Sequence, residues 1–296
     1  MFSKSRSVRH WQRYREIARI FLRHGFGFAI DQLQPGWYPF RRILRIPEQE
    51  KLPTSPNDLA MHFRLALEEL GPTFIKFGQI LSTRPDLLPP AYIAELSKLQ
   101  DTVPPTPWDL IRKVIIQELG REPEQEFLTI DPQPMAAASL AQVHAATLPA
   151  GQEVVVKVQR PGIPAVINTD LEILSSLAAR AQTTRWGKIY DFISMANDFA
   201  FTLKNELDYR REGRNADRFR DNFAGEPHLY IPRVYWEYSS QRVLVLERIH
   251  GIKIDDLHAL TEAGYDRHRI ALHSARVIIK EVLEDGFFHA DPHPGN

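Results

Sequence analysis

Apolar positions along the chain change their period several times, and each change marks an element. Trp11, Tyr14, Ile17, Ala18, Phe21 and Leu22 recur at helical spacing between His10 and Ile30, with arginines between them, and predict an amphipathic helix. Pro35–Pro39 and Pro47–Pro56 carry turn and breaker residues without periodicity, so they read as linker, with a boundary near residue 57. Helical period resumes through Leu59, Phe63, Ala66, Leu67 and Leu70, with Asn57 or Asp58 available as the cap, and Gly71-Pro72 breaks it. Two more helices are predicted, near Ala91–Gln100 and over Trp108–Leu119, the second stopped by Gly120.

The pattern then turns β-rich. Phe127–Ile130, Ser139–Thr147 and Glu153–Gln159 read as strands, with turn chemistry at Pro149-Ala150-Gly151. Helices follow at Ala165–Gln182 and, as one long element, Tyr190–Asn222. Two further strands are predicted at Arg233–Tyr238 and Val243–Arg248, and a last helix at Arg267–Asp285, ended by Gly286. Helices, a small sheet interrupted by a helix, then helices again make an α+β chain.

Composition narrows the function classes. The 296 residues include no cysteine, which excludes disulfides, thiolate zinc sites and a cysteine nucleophile. Equal numbers of basic and acidic residues, 37 of each, argue against a nucleic-acid partner. No apolar run approaches the roughly 18 residues of a transmembrane segment, and no signal peptide is visible. The expectation is a cytoplasmic chain, soluble or peripheral on a membrane. The charge is unevenly placed, however: residues 1–30 hold seven basic residues and one acid, leaving 30 basic against 36 acidic residues in the rest. The basic amphipathic helix has two readings, a membrane-surface element or a helix docked on its own protein.

Candidate chemistry lies at four places. His289-x-Asp291-x-x-x-x-Asn296 has the spacing of a kinase catalytic loop, in which the aspartate orients the acceptor and the asparagine holds magnesium. His289, Asp291 and His293 alternate, as metal ligands on an extended segment would, so a metal hydrolase is a competing reading. Upstream, Lys157 sits in the β-branched run Val154–Val158; burying its charge requires an anion, whereas a lysine on the solvent face requires none. Before it, Met135–His144 stands where a glycine-rich nucleotide loop would be; by propensity alone Ala136, Ala137, Ala138 and Ser139 form a helical turn. Finally, Asp208, Glu212 and Asn215 share a face of the long helix, with Glu206 about 120° round from Glu212, a pattern that fits either a solvated surface or a partner for Lys157.

Taken in order, Lys76-x-Gly78-Gln79, the alanine-rich loop, Val156-Lys157-Val158-Gln159-Arg160-Pro161-Gly162, Glu206-x-Asp208 and His289-x-Asp291-x-His293-Pro294-Gly295-Asn296 resemble the UbiB (AarF-type) atypical kinases. The resemblance covers about Glu68 to Asn296. It implies a protein-kinase-like fold with an N-terminal helical extension lying over the place where a peptide substrate would bind. It further implies ATP and Mg2+ as cofactors, ATPase or small-molecule kinase action, and support of quinone biosynthesis at a membrane, with isoprenoid lipid and quinone-biosynthesis proteins as contacts. By the same resemblance, Lys157 contacts phosphates and Glu212 is its ion-pair partner. Glu206 and Asp208 face Lys76 and Gln79, Ala136–Ser139 cover the nucleotide, Asp291 is the catalytic aspartate and Asn296 a magnesium ligand. The implied division is 1–56, basic region and linker; 57–125, helical extension; 126–250, N-lobe; and 251–296, a partial C-lobe. The D-F-G aspartate, due about fifteen residues after Asn296 by the resemblance, lies beyond this sequence. The alternative is therefore a catalytically inert, pseudokinase-like fragment or scaffold that binds nucleotide, lipid or a partner, and Ile270, Leu272, Ala275, Ile278, Ile279, Val282 and Leu283 are expected to leave an apolar face uncovered.

Overall fold

The computed structural model describes residues 2–26, 55–99 and 103–289. The linker expected over 35–56 falls almost wholly outside these residues, and Asp291, His293 and Asn296 lie outside them as well. The first helix, α1 (Phe2–Arg23), is followed by α2 (Pro56–Leu70), α3 (Pro72–Ser82), α4 (Pro90–Leu96), α5 (Trp108–Leu119) and the single turn α6 (Pro123–Glu126). Ser55, rather than Asn57 or Asp58, caps α2. Its hydroxyl accepts from the Asp58 amide at 3.1 Å, the Asp58 carboxylate accepts from the Ser55 amide at 3.1 Å, and Pro56 fits the first turn, where no amide hydrogen is needed.

One face of α1 is docked on its own protein. Ile17 and Ile20 are buried with Leu67, Leu70, Phe74, Leu96 and Ile173, and polar contacts fix the register. Arg13 donates to both carboxylate oxygens of the fully buried Asp170, at 2.7 and 3.0 Å, and to the Leu70 carbonyl at 2.6 Å. His10 meets Glu172 at 2.9 Å, and Arg23 pairs with Glu69.

The sheet has four antiparallel strands in sequential order: β1 (Thr129–Ala137), β2 (Ala141–Thr147), β3 (Glu153–Gln159) and β4 (Val243–Glu247). Alternation sends Val154, Val156, Val158, Val243 and Val245 into a core with Ile111, Val114, Ile115 and Phe127 of the α5–α6 region. Lys157, paired with Val143 and Leu244, points to the opposite face. The stretch 136–139 is not helical. Ala136 and Ala137 end β1, paired with Val143 and Gln142, and the Ala138 amide donates to the Ala141 carbonyl at 2.8 Å across a tight turn. Ladder pairing outweighs the helical propensity of alanine there.

After β3 come α7 (Ile163–Gln182), a short 3-10 turn, α8 (Phe192–Glu206) and α9 (Tyr209–Asn222). The single helix expected over 190–222 is thus two. Asp208 accepts from the Arg210 amide at 3.2 Å and caps α9, an Asp preference that ends one helix and starts the next. Arg233–Tyr238 makes only the bridge Val234–Leu246 and a 3-10 turn at Trp236–Tyr238. The last elements are α10 (Leu257–Glu262) and α11 (Arg267–Lys280), which runs into a π turn at Glu281–Asp285.

Candidate functional site

The break at Leu207-Asp208 decides how the acidic residues are shared out. In one continuous helix Glu206 and Glu212 would be tied to a single axis. Split, Glu206 ends α8 and faces the extension, and Glu212 sits in the first turn of α9 and faces the sheet. Lys157 Nζ donates to Glu212 Oε1 and Oε2, both at 2.8 Å, and lies 5.0 Å from the centre of the Tyr209 ring. Lys76 Nζ, from α3, meets Glu206 Oε1 at 2.9 Å. Two lysines from opposite sides therefore grip two ends of one helix–helix junction.

Asp208 does not reach Lys76 or Gln79. Its carboxylate accepts from Arg210, Nε to Oδ1 at 2.8 Å and Nη2 to Oδ2 at 3.0 Å, and these bonds hold it below the usual carboxylate range. The side chain of Gln79 makes no hydrogen bond among the described residues. Gly78, between them, has a packing reason: a Cβ there would press on Leu99 Cδ1 and Leu67 Cδ1, both of buried side chains that would have to give way, so glycine favours the close approach of α3 to its neighbours. Phe77 and Ile80 of α3 pack with Leu140 of the β1–β2 turn and with Phe199, Leu203 and Leu207, which sets the extension against the tip of the alanine-rich hairpin.

A second strap crosses that hairpin. The Val103 amide donates to the Ala137 carbonyl at 3.2 Å, the Gln142 amide group bonds the Thr106 backbone in both directions, and Arg160 donates to Thr106 Oγ1 at 2.9 Å and to the Pro104 carbonyl. Gln142, Thr106 and Tyr209 carry no marking pattern in the sequence. The one hint is a glutamine and an arginine beside otherwise apolar strands. His144, next on the same face as Gln142, is buried with Nδ1 2.8 Å from the Asp131 carbonyl; burial pushes its imidazole below the usual range, and the Asp131 contact opposes this only in part.

Lys157 keeps donor capacity that suits an anion. Lys157 is half-buried and spends two contacts on Glu212, leaving a third ammonium hydrogen. The Tyr209 hydroxyl is buried without a partner, and burial first, then the charges of Glu212 and Glu206, push that phenol upward. The segment entering residues 290–296 is fastened to the same helix. Phe287 packs on Phe219 with ring centres 4.8 Å apart, Arg218 lies 4.0 Å above the Phe287 ring, and the His289 amide donates to buried Glu281 at 3.1 Å. Among the described residues no cluster of three or more His, Asp or Glu is placed to hold a metal. The alternating His289, Asp291 and His293 lie mostly beyond them.

The comparisons decide the family. The description ABC1 atypical kinase-like domain matches residues 98–296, two thirds of the chain. The chain belongs to the ABC1 atypical kinase-like family. Among curated relatives, a protein of Marinobacter nauticus named probable protein kinase UbiB is 49% identical over 235 residues, covering 79% of this chain and 43% of its own. The Pseudomonas fluorescens protein of the same name is 41% identical over 288 residues, covering 96% and 54%. The chain spans about half the length of the curated relatives it matches. Among solved structures, the Rv3197–erythromycin complex from Mycobacterium tuberculosis superposes with a TM-score of 0.58 at 28% identity, covering 78% of this chain and 58% of that one. The α+β, kinase-like architecture of this family member agrees with both comparisons. No helix among the described residues is long and apolar enough to cross a membrane.

Proposed function

We propose that this chain is the nucleotide-binding portion of an ATP-dependent atypical kinase or ATPase that supports quinone biosynthesis at a membrane. The carrying observation is Lys157 held by both oxygens of Glu212 at 2.8 Å, on the sheet face opposite the valine core. A strand lysine so held is the part that orients α- and β-phosphates in kinases. In this reading Ala136–Ser139 cover the nucleotide, Asp291 acts as the catalytic aspartate and Asn296 would hold Mg2+, which supplies charge neutralisation on the phosphates. Lys76 and Glu206 form the polar contact between the extension and the nucleotide lobe, and with Gln79 and Asp208, near them in sequence, they belong to the nucleotide site in this reading. The division into 1–56, 57–125, 126–250 and 251–296 belongs to the same reading.

The extension supports a small-molecule rather than a protein acceptor, because α3 is latched to α8 by Lys76–Glu206 beside the hairpin tip. The quinone assignment rests on relatives named probable protein kinase UbiB. Membrane contact would be electrostatic. The apolar side of α1 is already occupied by Leu67, Leu70 and Phe74, so binding would use its basic residues, at about 1 kcal/mol each near an anionic surface. The test is titration of the purified chain with ATP, with and without Mg2+, for wild type and Lys157→Met. A loss of about ten- to hundredfold in affinity is expected, the value of charge-assisted hydrogen bonds. Equal affinity in both proteins would overturn the assignment of Lys157, and no binding in either would overturn the nucleotide-binding reading.

A further inference from the structure

Gln159 is fully buried at the end of β3, two residues from Lys157, and strand alternation sends both side chains to the face opposite the valine core. A side-chain amide is buried at little cost only when both of its halves are bonded. Here Arg242 Nε donates to Gln159 Oε1 at 3.2 Å, and Gln159 Nε2 donates to the Leu207 carbonyl at 3.2 Å. Exchanging the two ends of the amide would set donor against donor and oxygen against oxygen, so its orientation is fixed. Arg242 is itself held by α5: its amide donates to Glu118 Oε2 at 3.3 Å, and its guanidinium lies 3.8 Å from Glu118 Oε1.

The bond to Leu207 falls at the break between α8 and α9. Leu207 follows the last residue of α8, where carbonyls have no partner within the helix, and Asp208 caps α9. The Tyr209 amide donates to the Gln241 carbonyl at 3.0 Å, so the end of the β3–β4 pair holds the junction at two points. Lys157 adds a third contact through Glu212, in the first turn of α9. The long lysine side chain can follow its partner, whereas the buried, doubly bonded glutamine cannot. We propose that Gln159 is the positioning residue of the Lys157–Glu212 pair. By fixing the Leu207 carbonyl it sets where α9 starts, so that Glu212 reaches Lys157 while Glu206 reaches Lys76. The consequence for nucleotide rests on the nucleotide-binding reading above; the placement of α9 does not.

Hydrogen exchange of the full chain without nucleotide tests that placement. Gln159→Leu keeps the bulk of the side chain and removes both bonds, and Gln159→Glu keeps the acceptor for Arg242 but has no donor for Leu207. Both are expected to speed exchange of the amides from Tyr209 to Gly213 by about tenfold or more, the weight of one buried hydrogen bond, and to leave those of α2 and α3 unchanged. Arg242→Ala frees the amide to turn. It is expected to give a smaller acceleration of the same amides, and it answers the question should the Gln159 variants fail to fold. Acceleration spread evenly over the chain, or wild-type exchange at the start of α9, overturns the proposal.

ATP affinity then reads the consequence at the site. Glu212→Gln, worth about tenfold in the wild type, is expected to cost less than about threefold in the Gln159→Leu background, while Lys157→Met still weakens binding there. An undiminished cost of Glu212→Gln refutes the link to nucleotide alone. Absent ATP binding in the wild-type chain refutes the nucleotide reading, while the exchange data still decide what places α9.

Discussion

The two ends of the described chain are built from the same kind of amphipathic helix and end up in opposite situations. At the N-terminal end, α1 to α4 close over their apolar faces, bury Asp170 against Arg13 and leave no room for a Cβ at Gly78. At the C-terminal end, α11 and its π turn touch α9 through Phe287 and through Lys280, which donates to the Asn222 carbonyl at 3.1 Å, while Leu272, Ile278, Ile279, Val282 and Leu283 stay exposed, Leu283 at 77%. The difference teaches that the extension is an integral wall of the kinase-like body. The α11 face contributes little to holding that body together.

Breaking the buried pair should show the largest effect. Arg13→Ala leaves the Asp170 carboxylate buried and uncompensated, at a cost of about 3–5 kcal/mol read from denaturant unfolding. A loss under about 1 kcal/mol would mean that α1 is an appendage after all. Gly78→Ala forces Leu67 and Leu99, both buried, to give way, and should cost about 1–3 kcal/mol. It should also weaken the Lys76–Glu206 contact, since Lys76 sits two residues away on the same helix.

The sheet contributes a pH term between these extremes. His144 titrates below its unfolded value because it is buried. As pH falls through about 6.5 the unfolded chain takes the proton first, so stability declines on acidification by at most about 1.4 kcal/mol per pH unit. His144→Gln should flatten that slope between pH 7 and 5. An unchanged slope would show that other groups carry it. Smallest of all, Ile279→Glu with Leu283→Glu should alter stability by no more than about 0.5 kcal/mol, because both side chains are exposed already. A large loss would erase the contrast between the two ends.

Much of this organisation is legible in the sequence, for identifiable reasons. Trp108–Leu119 and Glu153–Gln159 keep one period from end to end, and both elements have those bounds. Lys157 and Glu212 can be paired on paper because a lone charge in a valine strand needs an anion and α9 offers one at the right face. The break at Asp208 is less legible. Helical period runs through it, and only the capping bond to the Arg210 amide shows that aspartate starting a helix. The alanine hairpin is misleading locally, since its propensity is helical and its conformation is set by Val143 and Gln142 on the neighbouring strand. The same limit hides the strap through Thr106 and the environment of Tyr209, which depend on residues far apart in sequence.

In the proposed nucleotide site Lys157 and Glu212 act as one unit. ATP affinity measured across a double-mutant cycle of Lys157→Met, Glu212→Gln and the pair together tests it most directly. Removing either partner should weaken ATP by about tenfold or more, and removing both should cost no more than the worse single change. Fully additive losses, or an undiminished affinity in Glu212→Gln, would contradict the account.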